Sequence, residues 1–318
     1  MRRKSTLTLL VGIATLALLT PATARADYRQ EKTLNLAPGG SFVLQADVGS
    51  VTITGTSESG AHVVITSNRD DIASLFDFSF DSSGGTAHVT ARKKQHWGGW
   101  HNLSLHFDVQ VPTDTGVEVK TGGGSVEISH LTRDANLDTS GGPIRVSDLA
   151  AALQAHTSGG SIELRQMKGA AHVETSGGGI EADSLGSTLE ARTSGGSIHL
   201  EGVRGDLLAH TSGGSIRIED AGGRVDAKTS GGSVEVSFAA GNARGGDVET
   251  SGGGVRVAVD RSIGLNIDAS ASSGSVSTDL PIQVVGTISR SHLQGTLGSG
   301  GQSLRLHSDG GPVHLEAR

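Results

Sequence analysis

Residues Thr211 to Lys228 read TSGGSIRIEDAGGRVDAK, and this unit recurs through the middle of the chain. Thr-Ser-Gly-Gly or a close variant begins at Thr121, Thr139, Thr157, Thr175, Thr193, Thr211 and Thr229, always 18 residues apart. The next copy, at Thr250, comes 21 residues on, and fainter echoes begin at Ser272 and Ser308. Number the places of a unit one to eighteen from its Thr. Place six is Ile or Val from Val126 to Val234, place eight is apolar, and place seven between them is polar. Places fifteen and seventeen repeat the alternation with Ala, Leu and Val, and place eleven carries another apolar residue. Period-two alternation marks strands with one buried face. Each unit therefore predicts two short strands and two turns.

A two-strand unit cannot bury its apolar face alone, so successive units must stack. The predicted fold is all-β: a single-stranded parallel β-solenoid, or β-helix, with 18-residue coils. Right-handed winding is the default for parallel crossovers. Far-ultraviolet circular dichroism should show no helix beyond the N-terminal leader. In this reading Thr-Ser-Gly-Gly is a corner rather than a reactive loop. A nucleophilic Ser would not be copied with no His or Asp at fixed offset, and a phosphate cradle needs a following helix and a Lys. The corner glycines are Gly141, Gly142, Gly159, Gly160, Gly177, Gly178, Gly195, Gly196, Gly213, Gly214, Gly231, Gly232, Gly252 and Gly253. They are expected to supply positive φ and to let coils approach closely. The Thr side chain follows the inward parity, so its hydroxyl should bond turn backbone or the next Thr.

The remaining composition bounds the rest. Arg2, Arg3 and Lys4 precede an apolar run from Leu7 to Leu19 and an Ala24-Arg25-Ala26 site, the pattern of a signal peptide over residues 1–26. The mature chain would then start at Asp27 with no transmembrane segment, in the periplasm or at the cell surface. Removing the leader's four basic residues from 26 leaves 22 against 33 acidic, a balance of −11 that disfavours nucleic acid and anionic lipid. There is no Cys, hence no disulfide framework and no thiolate metal site. All aromatic residues except Phe238 lie at or before Phe107. That break separates residues 27–120, an aromatic-rich β cap with degenerate coils, from the regular coils of 121–270. Residues 271–318 form irregular C-terminal coils and a second cap.

The stretch VPTDTGVEVKTGGGSVEI, Val111 to Ile128, and the array of Gly-Gly corners resemble the bacterial "putative adhesin" family of exported, Gly-rich β-solenoids. The resemblance runs from about Leu34 onward and implies the fold. The family's biochemical role is undefined, so it implies no functional residues. LNLAPGGSFVLQADVGSVTITG, from Leu34, fits a degenerate opening coil with Val51 and Ile53, then Val63 and Ile65, turned inward.

Parallel β-helices include polysaccharide lyases and hydrolases, which gather Asp, Lys and Arg on one face. Here place eighteen runs Asp138, His156, Glu174, Arg192, His210, Lys228, a mixed column expected to screen itself. The corners carry Ser and Thr where calcium-binding solenoids carry Asp. A Thr row flanked by apolar and charged neighbours does not suit ice. The chain reads as a non-enzyme without cofactor or metal: an adhesin-like binding or scaffold module of the cell envelope whose partner is an envelope glycan or a surface or periplasmic protein. The alternatives are a structural or stress-associated envelope protein and a carbohydrate-active β-helix. The candidate contact is HWGGWH, where His96, Trp97, Trp100 and His101 follow Lys93 and Lys94. Exposed Trp rings there could stack on sugars; folded back, they would cap the core. The Gly-Gly tip suggests a hairpin joining Ala87-Val89-Ala91 to Leu103-Leu105-Phe107-Val109-Val111. Its register sets inward residues opposite outward ones, so a bulge or longer loop is required.

Overall fold

The computed structural model describes residues 28–94, 103–284 and 289–318. Each repeat folds as its alternation dictates. Places six to eleven form one strand, as in Ile216–Ala221, and places fifteen to the next Thr form a second, as in Val225–Thr229. Neighbouring copies pair in parallel, in register, 18 residues apart, so Ile198, Ile216 and Val234 stand in one column. Among the described residues the strands assemble into a front sheet of 14 strands, holding places six to eleven, and a back sheet of 15. The inward residues of both sheets form one apolar core, in which place eleven (Leu131, Leu149, Met167, Leu185) is buried beside places six and eight. The one departure from all-β among the described residues is a single helical turn, Ile72–Leu75.

The Thr of each corner is buried, and its hydroxyl bonds backbone rather than the Thr above. From Thr139 to Thr250, each Oγ1 donates to a Gly carbonyl of the preceding coil at 2.6–3.0 Å. From Thr157 onward it also accepts the N–H of its own place-four Gly at 3.2–3.4 Å. The corner is thus a stack of hydroxyls stitching coil to coil.

The expectation of positive φ at the corner glycines is corrected. Of the Gly at places three and four in the regular coils, Gly124 alone has it, at +122°. Place four is Gly because a Cβ there would collide with the coil below, and the left-handed residues lie at the other turn instead. Place ten is left-handed in His130, Asp148, Gln166, Ser184 and Asp220, with φ of 50–60°, and in Gly202. Non-Gly residues in this region cost about 1–2 kcal/mol each. Part of that returns when Gly replaces them, less the extra chain entropy. Gln166→Gly should therefore raise stability by about 0.5–1 kcal/mol, read by chemical denaturation.

The 21-residue step keeps the core continuous. Phe238 pairs with Ala221, the smallest place-eleven residue, and fills the space beside it. The extra residues bulge outward around buried Asn242, whose Nδ2 donates to the carbonyls of Ala221 (2.6 Å) and Gly223 (2.9 Å).

Both ends depart from a sequential stack. Ser41–Ala46 and Ser50–Thr56 form a coil directly against Gly116–Thr121 and Val126–Leu131, while Thr86–Lys93 and Leu105–Pro112 form the coil outside it. The opening coil therefore holds Phe42, Leu44, Val51 and Ile53. Val63 and Ile65 are buried, but they sit in Ala61–Ser67, which runs antiparallel to Leu105–Pro112 and to Tyr28–Leu34. Phe76–Ser83 flanks the back sheet antiparallel to Thr86–Lys93. Tyr28 stacks on Phe78 at 6.3 Å, joining the two outermost strands across the core.

At the other end, Gln302–Ser308 and Val313–Ala317 lie between the coil of Thr250 and the coil of Ser272. Hydrogen bonds from Ser272 and His307 hold Asp309 below the usual carboxylate range, and Ser262 and Gly241 do the same for Asp260. A carboxyl with a depressed folded pKa stabilises fully above its unfolded value, about 3.9, and loses that contribution as pH falls through the folded one. Melting temperature should therefore drop below about pH 4, and less steeply in Asp309→Asn.

Candidate functional site

The predicted contact segment divides. His96, Trp97, Trp100 and His101 lie outside the described residues. The strands that lead into and out of it are not hairpin partners: Thr86–Lys93 belongs to the back sheet and Leu105–Pro112 to the front sheet. This is why the hairpin register set inward residues against outward ones. Two strands facing each other from opposite sheets owe each other no parity. Ala91 stands in the Thr column and Phe107 in the place-six column. Regular coils place four residues between those columns (Thr121 to Val126), and this one places fifteen (Ala91 to Phe107).

The neighbouring cations are engaged. Arg92 reaches Asp47 at 3.1 Å, and the Lys93 backbone N–H donates to Asp47 at 2.7 Å. Lys94 Nζ donates to the Ala73 carbonyl at 3.0 Å and pairs with Asp77 at 3.2 Å. These residues pin the short helical turn and the edge strand against the coil. Other outward columns are likewise laced: Arg217 pairs with Glu235 at 2.9 Å, and Arg145 with Glu163 at 3.3 Å.

A surface that the sequence reading missed runs along the outside of the back sheet. Place fourteen runs Ser41, Gly116, Asp134, Ala152, Ala170 and Thr188 on successive coils, short residues except for Asp134, whose carboxylate accepts the Ala152 N–H at 3.1 Å. Beside it place sixteen carries longer polar residues, Glu118, Asn136, Gln154, His172 and Glu190. The step between the two columns is a trough. It comprises hollows of about 380 and 470 Å³ that meet at Ala152 and Gln154. Asp206, Arg224 and Asp226 close its far end, where Leu208 breaks the polar rail. Eight rows at coil spacing make it roughly 35 Å long.

Two of the rail's ionisable groups pair with one another: His172 lies 3.1 Å from Glu190, which also pairs with Arg192. Asn136 and Gln154 offer planar amides, each a donor and an acceptor. The trough is thus suited to hydrogen bonding along a line. The small residues Ala152, Ala170 and Thr188, 18 positions apart, were visible in the sequence. Their meaning was not, because an outward Ala is informative only once its taller neighbours are placed. Among the described residues, no three His, Asp or Glu side chains converge to hold a metal ion, and no helix is long and apolar enough to cross a membrane.

Comparison with solved structures finds similar chains at low identity. A putative lipid binding protein from Parabacteroides distasonis is 13% identical with a TM-score of 0.41, over 90% of this chain and 96% of that one. A putative adhesin from the same species is 12% identical with a TM-score of 0.39, over 91% and 97%. A putative adhesin from Bacteroides fragilis is 12% identical with a TM-score of 0.36, over 92% and 97%. No curated protein matches the chain. The family model that matches spans residues 42–316, from the coil of Phe42 to the strand of Leu315, and by it the chain belongs to the Toastrack DUF4097 family.

Proposed function

We propose that the chain is an exported, non-enzymatic binding or scaffold module of the cell envelope, and that its back-sheet trough holds a linear envelope glycan. The observation that carries this reading is the trough's one-dimensional regularity. Asn136, Gln154, His172 and Glu190 present hydrogen-bonding groups at equal intervals of about 4.8 Å, one per coil. An extended β-linked glycan advances by nearly the same distance per sugar and turns over between successive sugars, so equivalent hydroxyls return on every second coil. The stacked sheets hold that spacing rigid, which limits the entropy lost on binding. Trp97 and Trp100, in the segment between Thr86–Lys93 and Leu105–Pro112, are proposed as a second contact.

Co-sedimentation with purified cell-wall glycan tests the assignment. Filling the floor with Ala152→Trp and Ala170→Trp should lower the bound fraction about tenfold with melting temperature unchanged, since both side chains face solvent. Binding equal to wild type would overturn the trough. If Trp97→Ala with Trp100→Ala abolishes binding instead, recognition belongs to the Trp segment alone.

A further inference from the structure

We infer that the C-terminal coil, residues 302–318, is an exchangeable insert, and that the slot it fills accepts the same segment from a second copy of this chain. The slot is defined by topology. Gly246–Thr250 and Val255–Val259 form one wall, and Leu265–Ala271 and Val276–Thr278 form the other. These walls are consecutive in sequence, yet they stand one coil apart. The strands that separate them arrive only after a further excursion through Ile282–Val284 and His292–Leu297.

Without the insert, two pairs of strand edges and the core between them would be open to water. The insert brings Leu304, Leu306, Val313 and Leu315 into that core, each at most 1% exposed. It also renews the corner ladder: Ser308 Oγ donates to the Gly253 carbonyl at 2.7 Å and accepts the Gly311 N–H at 2.9 Å. Its outer face is fastened to both walls, with Glu316 on Arg256 at 3.1 Å and Asp309 on Ser272 at 2.9 Å. A slot that deep and that specific in register selects for this segment over an unrelated strand.

The link to the preceding chain explains why a second copy can provide it. Leu297 and Gln302 flank Leu265 on opposite sides, so Gly298 to Gly301 must cross the start of that strand. The crossing is tight. A Cβ on Gly298 would lie 2.8 Å from the Ile263 carbonyl, and one on Gly301 2.7 Å from that of Gly264. Gly298 and Gly300 also hold φ of +58° and +73°. This short glycine link is the hinge. Swung outward, it delivers the insert to another molecule, where every contact above is reproduced. Two copies exchanging inserts form a closed, two-fold pair.

The chain has no cysteine, so an engineered pair reports on the insert alone. Asp247 and Arg305 are cross-strand neighbours on the outer face, one on the wall and one on the insert. The full-length chain carrying Asp247→Cys and Arg305→Cys is refolded at low and high concentration, oxidised and resolved without reductant. Exchange predicts an intrachain bond at low concentration. A disulfide-linked dimer should then rise about tenfold over a hundredfold increase in concentration. Co-refolding the two single-cysteine chains should yield the mixed dimer. An intrachain bond with a monomeric mass at every concentration, and no mixed dimer, would overturn the inference. Deleting Gly300 and Gly301 is a second variant: the link can no longer cross Leu265, and its soluble fraction should be dimeric throughout. A soluble monomer from that variant would likewise refute exchange.

Discussion

Gly214→Ala is expected to destabilise the protein by more than about 3 kcal/mol, whereas Gly213→Ala, one residue earlier, changes stability by less than about 1 kcal/mol. The two glycines share a corner but not a cause. A Cβ on Gly214 would sit 2.1 Å from the carbonyl oxygen of Gly196 and 2.4 Å from its carbon, both in the backbone of the coil below. Backbone held in a parallel ladder on both sides cannot retreat, so the coils must part and the neighbouring Thr bonds break with them. A Cβ on Gly213 would lie 3.3 Å from the Gly195 carbonyl oxygen, a tight contact that a shift of a few tenths of an ångström relieves at this exposed position. Gly213→Val should also be tolerated, because no positive φ has to be maintained there. Thermal or denaturant unfolding of the substituted chains settles it. Equal losses at both places would show that conformation, not crowding, selects the glycines.

Thr211→Val is expected to cost about 2 kcal/mol although the two side chains have nearly the same volume. The hydroxyl donates to the Gly196 carbonyl at 2.8 Å and accepts the Gly214 N–H at 3.3 Å. Removing it leaves one acceptor and one donor without a protein partner in a corner where Thr211 is 6% exposed. Thr211→Ser keeps both bonds and loses one methyl, a change of about 0.8 kcal/mol. Ser308 already fills this place with the same two bonds. The diagnostic result is the ordering of the two variants in a denaturant series. Val as stable as Thr would mean that water reaches the corner and replaces the hydroxyl.

Much of the candidate site was hidden for a related reason. The alternation marks which residues face outward, but not which outward residues stand beside one another in height. Ala152 and Ala170 become a trough floor only because Gln154 and His172 rise next to them on the same sheet. HWGGWH stood out through residue types alone, and its flanking strands lie in opposite sheets rather than pairing as a hairpin. The left-handed turn at place ten left a fainter trace in the sequence. His130, Asp148 and Asp220 are of the types that tolerate this region, whereas Gln166 and Ser184 give no such signal.

The repeat by itself determined the coil length, the parallel register, the inward columns and the Thr stack. Each of these follows from interactions between a residue and its copy 18 positions away, so the same periodicity that writes the pattern also pairs it. The order of coils at the two ends was decided only by tertiary structure. A strand such as Gln302–Ser308 shows the same inward Leu, Leu and Ser whether it joins the end of the stack or slips between two earlier coils. Its backbone bonds are equally satisfied by either neighbour, and alternation carries no address. What selects the slot is the reach of Gly298–Gly301 over Leu265 and the two open walls waiting on either side. Both are properties of a surface already folded.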